Sequence, residues 1–339
     1  QPSDYFNTKL YTGTGSSNAI TGINFNPDFT WIKSRSNTYS HTLTDAVRGV
    51  TKHSSTNNTN AEYTSTTEIT SFDSDGFTVG TDAGVNNNGS TFVSWNWLAN
   101  GAGVSNTDGT ITSTVSASTT SGFSIVKYTG TGANATVGHG LGSAPSVVIC
   151  KQLNATQQWI NYHKAIGATK YLHLNASDAS ATSSTVWNDT DPTSSVFSVG
   201  TAVNCNGSGN TYVAYCFAEK KGFSKFGSYS SNTNTDGPFI YTGFSPAFVI
   251  IKSYNTAVRN WTIQDNKRSS SGGPNPNDKW LYANVSDAEV DQASNPMDFL
   301  SNGFKLRNTG SYQNQSEYIY MAFAESPLVS SNGVPTTAK

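Results

Sequence analysis

The sequence predicts an all-β protein of three tandem antiparallel β-sandwiches, and three observations carry that prediction. First, a proline, five mostly apolar residues and a lysine recur in order: PDFTWIK from Pro27 to Lys33, PSVVICK from Pro145 to Lys151, and PAFVIIK from Pro246 to Lys252. Second, the flanks repeat too. A lead, LYTGTG at Leu10 and KYTGTG at Lys127, precedes the motif, with Gly-Phe-Ser opening the second and third copies at Gly122 and Gly222. An exit follows it: TFVSWNWLA from Thr91, TYVAYCFAE from Thr211 and EYIYMAFAE from Glu317. Third, charged residues are 12% of the chain, about half the usual share, while aromatics also reach 12%. Thr, Val, Ile and aromatic residues with Gly and Asn between them build strands and turns, not salt-bridged helices.

Equivalent landmarks lie about 100 to 120 residues apart, the size of a small domain and too long for a solenoid repeat. This gives three units, 1–103, 104–220 and 221–339, from an internal triplication. Apolar runs of about five to nine residues bounded by turn residues read as strands. After each proline the run is apolar on both alternating sets: Phe29 and Trp31 against Ile32, Val147 and Ile149 against Val148 and Cys150, Phe248 and Ile250 against Val249 and Ile251. Such a strand is covered on both faces. The proline suits a strand's first residue, where no ladder donor is needed. Two long, mostly buried strands per unit, with irregular polar segments between them, fit an antiparallel sandwich or jelly roll.

A net charge of −2 with no basic patch argues against nucleic-acid binding. No apolar stretch approaches the ~20 residues of a membrane span, and the first residues carry no basic, apolar leader, so a soluble chain is expected. Beginning at Gln1 rather than Met reads as a processed, truncated or partly sequenced protein. Cys150, Cys205 and Cys216 all fall in the second unit, opposite Ile, Val, Asn or Ala in the others. They read as small buried hydrophobes, with a Cys205 to Cys216 disulfide permitted but not required. Asn-x-Ser/Thr sequons, as at Asn88 and Asn175, are expected by chance in so Asn-, Ser- and Thr-rich a chain.

Internal comparison also weighs the candidate sites. FDSDGF, from Phe72 to Phe77, has the carboxylate spacing of a calcium loop, but FLSNGF at Phe299 replaces the first carboxylate, so an Asx-Gly hairpin turn is expected. Asp45 with Arg48, and Asp265 with Arg268, follow the motif lysine by twelve to sixteen residues. Asp-x-x-Arg either fixes a turn by a charge-assisted hydrogen bond or presents a guanidinium to a ligand. The second unit has His163 and Ile166 there and still folds, which favours the turn. The histidines recur at no matching places, and no Gly-x-Ser-x-Gly, His-Glu-x-x-His or glycosidase-like carboxylate pair stands out. No catalytic residue, metal site or cofactor is assigned. Aromatics outside the expected strands, Tyr39, Tyr63, Trp187, Trp280 and Tyr312, are the candidate ligand-binding residues, since rings on loops stack on sugars.

The ordered set PDFTWIKSRS with TDAVRG, SGFSIVKYTGTG with TVGHGLGSAP, KGFSKFGSY with DGPFIYTGFSPAFVIIK, and SNGFKLR with EYIYMAFAESPLV resembles a repeat family of tailed-bacteriophage structural proteins, particularly of marine phages. The resemblance covers nearly the whole chain. It implies concanavalin-like or jelly-roll sandwiches on a virion surface, and it supplies no catalytic residues.

Two functions are therefore expected. One is a non-enzymatic virion surface protein, a tail fibre, appendage or capsid-decorating subunit, with other virion proteins as partners and homo-oligomerisation through flat apolar strand faces. The other is a carbohydrate-binding adhesin whose loops grip a host surface glycan.

Overall fold

The structure, a computed structural model, describes residues 1–327. The expected third unit ends at 339, so its tail lies outside the described residues. The fold is all-β, and one strand order recurs. In the first segment the lead strand Phe6–Thr12 pairs with the exit strand Thr91–Trp97, which pairs with the motif strand Phe29–Ser34, and that with the turn strand Thr42–Asp45. The second segment repeats the order with Phe123–Thr129, Thr211–Phe217, Val147–Gln152 and Ile160–His163. The third repeats it with Ser224–Ser230, Glu317–Pro327, Phe244–Ser253 and Thr262–Asp265. All pairings are antiparallel. In the second segment, Ser113–Ser118 and Val104–Asn106 add two further strands outside the lead.

A smaller sheet covers one face of each large sheet. Asn18–Thr21 and the hairpin Ile69–Asp73/Gly76–Val79 do this in the first segment, Ala135–Gly138 with Val196–Val199 in the second, and Phe239–Tyr241 with Met297–Leu300/Gly303–Leu306 in the third. The expected Asx-Gly turns close the first and third of these hairpins. Asp75 turns its carboxylate on the backbone N–H groups of Gly22 and Asn24, at 2.9 and 2.6 Å.

The lead motif has a steric cause. A Cβ on Gly13 or Gly130 would meet the carbonyl oxygen of Asn87 or Gly207 at 2.2 and 2.5 Å, and Gly15 and Gly132 stand at φ +71 and +75°. A buried Asn holds the loop in each segment. Asn86 Oδ1 accepts from Thr14 N–H, Asn206 Oδ1 from Thr131, and Asn314 Oδ1 from Asn232, while each Nδ2 donates to two backbone carbonyls.

One alternating set of each motif and exit strand packs on its own small sheet: Ile32 and Phe92, Val148 and Tyr212, Val249 and Tyr318. The other set of all three segments meets in a single shared core. At its centre Trp97, Phe217 and Phe323, equivalent residues of the three exit strands, form a triangle with ring centroids 6.3, 5.6 and 5.7 Å apart. Around it Phe29 stacks on Tyr215 at 4.4 Å, and Trp95 meets Phe248 edge-on at 5.5 Å. The void left among these side chains is about 20 Å³, the space of one water. The apolar faces that the sequence offers for oligomerisation are thus covered within the chain.

The motif lysines, Lys33, Lys151 and Lys252, are fully buried at the ends of these strands. Lys151 Nζ donates to Thr59 O of the first segment and Gln157 O, at 3.2 and 2.9 Å. Lys252 Nζ donates to Ser177 O of the second segment and Arg259 O, at 3.1 and 2.6 Å. Lys33 Nζ bonds Ser34 O and Asn37 O. Burial pulls the three ammonium groups down to about 8, 8 and 7 respectively.

Because the core is shared, thermal unfolding is expected as one cooperative calorimetric transition, not three. Residues 104–220 expressed alone, with Ile125, Ile149, Tyr215 and Phe217 uncovered, are expected to lack a sharp transition. Phe323→Ala in the whole chain is expected to cost ~3 to 5 kcal/mol in urea denaturation.

Candidate functional site

The Asp-Arg pairs singled out by sequence lie at the seams between segments, which repeat cyclically. Glu62 N–H donates to Leu153 O, Ser180 N–H to Tyr254 O and Glu289 N–H to Arg35 O, at 2.8, 2.7 and 2.8 Å. Each of these joins one segment to the next, and the third closes the ring onto the first. A ring nitrogen repeats the pattern: Trp159 Nε1 donates to Ser55 O at 2.9 Å, and Trp261 Nε1 to His173 O at 3.0 Å. In the first segment His41 takes this place. Its Nδ1 accepts from Trp31 Nε1 at 2.8 Å, so Nε2 carries the hydrogen and donates to Tyr282 O at 2.9 Å.

The Asp-Arg turns sit in two of the seams. Asp45 Oδ1 accepts from Arg48 N–H, and Oδ2 accepts from Arg48 Nε at 2.5 Å and from Tyr215 OH of the second segment at 2.8 Å. The remaining guanidinium donors go to Ser54 Oγ, Glu62, Leu43 O and Tyr215 OH. All five N–H groups are therefore used, in a side chain 1% exposed, and none is left for a ligand. Asp265 and Arg268 repeat the geometry at 2.7 Å. There Trp95 Nε1 of the first segment donates to Asp265 Oδ2 at 3.0 Å, its ring lies 5.7 Å from the Arg268 guanidinium, and Glu289 bridges Arg268 to Arg35. The third seam has neither charge. His163 replaces the aspartate, Met321 replaces the donor, and His163 Nε2 meets Tyr320 O at 3.2 Å. Partner and acceptor thus change together within one chain.

Four histidines are fully buried. Burial lowers His41 to about 3 and His53 and His163 to about 4, and lowers His139 as well. Their ring nitrogens bond carbonyls, backbone amides, the Trp31 indole or Thr44, so they work as neutral struts. Near His53, Glu68 accepts from Thr42 Oγ1 and Tyr63 OH, each at 3.1 Å, and burial lifts its carboxyl to about 7. The three thiols are free and buried in the second segment's own core, so Cys205 and Cys216 are not bridged. Tyr128 OH lies 3.2 Å from Cys150 Sγ, and burial lifts that thiol to about 12.

The aromatic candidates divide. Trp187, in the short helix Ser184–Trp187, is 2% exposed and packs on Tyr162. Trp280 lies on a strand, Lys279–Tyr282, not in a loop, and is 1% exposed. Neither indole is therefore a surface platform. Tyr63 is 38% exposed over His53, and Tyr39 is half-buried in the loop before Thr42–Asp45. Two candidates come together: Tyr312 is half-buried with its ring 6.3 Å from Trp280 and 5.7 Å from Tyr282, and the Arg259 guanidinium lies 6.0 Å above it. Trp280 Nε1 and Arg259 Nε have no hydrogen-bond partner there. This patch adjoins the seam of the second and third segments, where Arg259 N–H donates to Ser177 O.

Sequence reasoning missed Asn86, Asn206 and Asn314, and also the equivalence of His41, Trp159 and Trp261. Each of these last three stands four residues before the turn-strand residue Asp45, His163 or Asp265, a spacing present in the sequence.

Among known proteins, residues 1–327 match, as one span, a family described as a domain of unknown function (DUF7483). No curated protein and no solved structure matches the chain.

Asp45→Asn leaves Arg48 buried with its nearest counter-charge gone and is expected to cost ~3 to 5 kcal/mol. Tyr215→Phe, which removes the hydroxyl that donates to Asp45 and accepts from Arg48, is expected to cost at least about 1.5 to 3 kcal/mol, both read by urea denaturation. Stability is expected to fall as pH drops below about 6.5. The unfolded histidines take up protons there, while His41, His53 and His163 resist until about 3 to 4. Glu68 opposes this, because its folded carboxyl already holds a proton below about 7. His163→Gln is expected to shallow the fall in urea midpoint between pH 6.5 and 4.5.

Proposed function

We propose that this chain, which belongs to the DUF7483 family, is a non-enzymatic surface subunit of a bacteriophage virion that acts through assembly and contact. In this reading an internal triplication of jelly-roll-like sandwiches has become one closed ring, serving in a tail fibre, an appendage or a capsid decoration. The observation that carries it is the shared core with its cyclic seams. Three sandwiches locked into one body suit a load-bearing, multi-faced part better than a hinged enzyme. The buried Asp, Arg and His groups support the same view, since each is spent on a backbone or seam contact. The resemblance of the ordered motifs to those of phage structural proteins is what suggests the virion setting.

A second reading, a glycan-binding adhesin on such a particle, is favoured by the patch of Tyr312, Tyr282 and Trp280 under Arg259. The half-buried Tyr312 ring with the Arg259 guanidinium beside it offers a stacking face and a cation to a sugar.

The purified chain is expected to co-sediment with particles depleted of it, and no association would sink the first reading. On a glycan array the adhesin reading expects binding that Tyr312→Ala removes. A blank array leaves assembly as the sole function. Release of reducing ends from host polysaccharide, stopped by a carboxylate substitution, would overturn the non-enzyme assignment.

A further inference from the structure

We propose that the outer edge of the lead strand Phe6–Thr12 accepts an extended, Ser/Thr-rich segment of a partner protein as an added antiparallel strand. Backbone polarity sets the edge. Leu98 N–H bonds Tyr5 O and Gly13 N–H bonds Ser90 O, which turns the odd-numbered residues between them toward the exit strand. The N–H and C=O groups of Phe6, Thr8 and Leu10 therefore point outward. In the second segment the equivalent residues are Phe123, Ile125 and Lys127, and they face Ser118, Ser116 and Thr114 of the strand Ser113–Ser118. The molecule thus carries its own template of a filled edge. Among the described residues the first lead strand pairs with its exit strand alone.

What lies beside that edge is a groove. A volume of about 130 Å³, bordered by Phe6, Thr8, Ala247 and Asn266, separates the first segment from the third. It runs on into about 420 Å³ past Leu10 and Gly22. Thr8 is 5% and Asn266 8% exposed, yet Thr8 Oγ1 and Asn266 Oδ1 have no hydrogen-bond partner. Unpaired polar atoms at such burial are costly and are expected to be satisfied when the site is filled.

The template states the chemistry of the occupant. Ser113–Ser118 reads STVSAS, small throughout, with hydroxyls alternating with Val115 and Ala117. A serine opposite Thr8, in the place of Ser116 opposite Ile125, would bring a hydroxyl donor toward the two unpaired oxygens. Main-chain bonds supply the affinity and small side chains the fit, the mode of β-strand addition. The idea rests on the assembly reading for its purpose. Strand addition itself is measurable on the isolated chain, so either can fail without the other.

The probe is a blocked peptide with the sequence of residues 112–119, TSTVSAST, added to the full chain and followed by amide hydrogen exchange and fluorescence anisotropy. Exchange at Thr8 and Leu10 is expected to slow with peptide but not with a scrambled control. Thr8→Pro removes an N–H that faces away from the ladder, so the melting temperature is expected to hold while affinity drops at least tenfold. Leu10→Pro tests the same point if Thr8→Pro fails to fold. Ser228→Pro, on the third lead strand, is expected to leave binding unchanged. The proposal is overturned by unaltered exchange at millimolar peptide or by equal binding of Thr8→Pro. It is likewise overturned if Thr8 is already protected in the free chain and loses that protection on truncation after Pro327, since the edge would then belong to the chain's own end.

Discussion

The triangle of Trp97, Phe217 and Phe323 is the contact on which the molecule depends. Each of these side chains has several times the apolar area of a small residue to remove from water. None can do so within its own segment, because its own small sheet lies on the opposite face of its strand. The segments must therefore meet, and the two-sided apolar character of the motif strands follows. Ile32, Val148 and Val249 serve a private core, while Trp31, Ile149 and Ile250 serve the common one.

Hydrophobic contact is non-directional, so it brings three sheets together without setting their register. The seams add direction. Backbone bonds at Leu153, Tyr254 and Arg35, and ring N–H bonds at Ser55, His173 and Tyr282, hold one geometry three times over. The buried pairs Asp45–Arg48 and Asp265–Arg268 are poor as net stabilisers, since desolvation offsets most of their attraction. Their value lies in what they reject: a shifted sheet would strand a buried guanidinium. The seam with His163 and Met321 keeps the shape without the charges, the simpler solution where packing alone suffices.

With the interior committed to holding the ring together, contact with other molecules falls to rims and edges. Two features there have unused capacity. The Tyr312 patch has a half-buried ring beside the Arg259 guanidinium, and the edge at Thr8 has a row of outward backbone groups. They suit different chemistries, ring stacking at the first and main-chain hydrogen bonding at the second.

The sequence alone determined much of the architecture. Alternation of residue type identified the motif and exit strands and their double burial, the Asx-Gly pairs located the hairpins, and comparison of copies assigned the Asp-Arg pairs to turns. The first two are local properties, written in neighbours one to four residues apart, and the third comes from the chain's own repetition. It misread Trp187 and Trp280 because burial of an aromatic in an irregular or short element leaves no periodic trace. It passed over Asn86, Asn206 and Asn314 because one Asn among many is invisible until its carbonyl partners are placed. What only the tertiary structure decided was what covers the second face of each motif strand. Pattern records that a face is apolar, but hydrophobic burial does not name its partner. Three covalently joined sheets satisfied one another around an axis, and polar seams then made that solution unique.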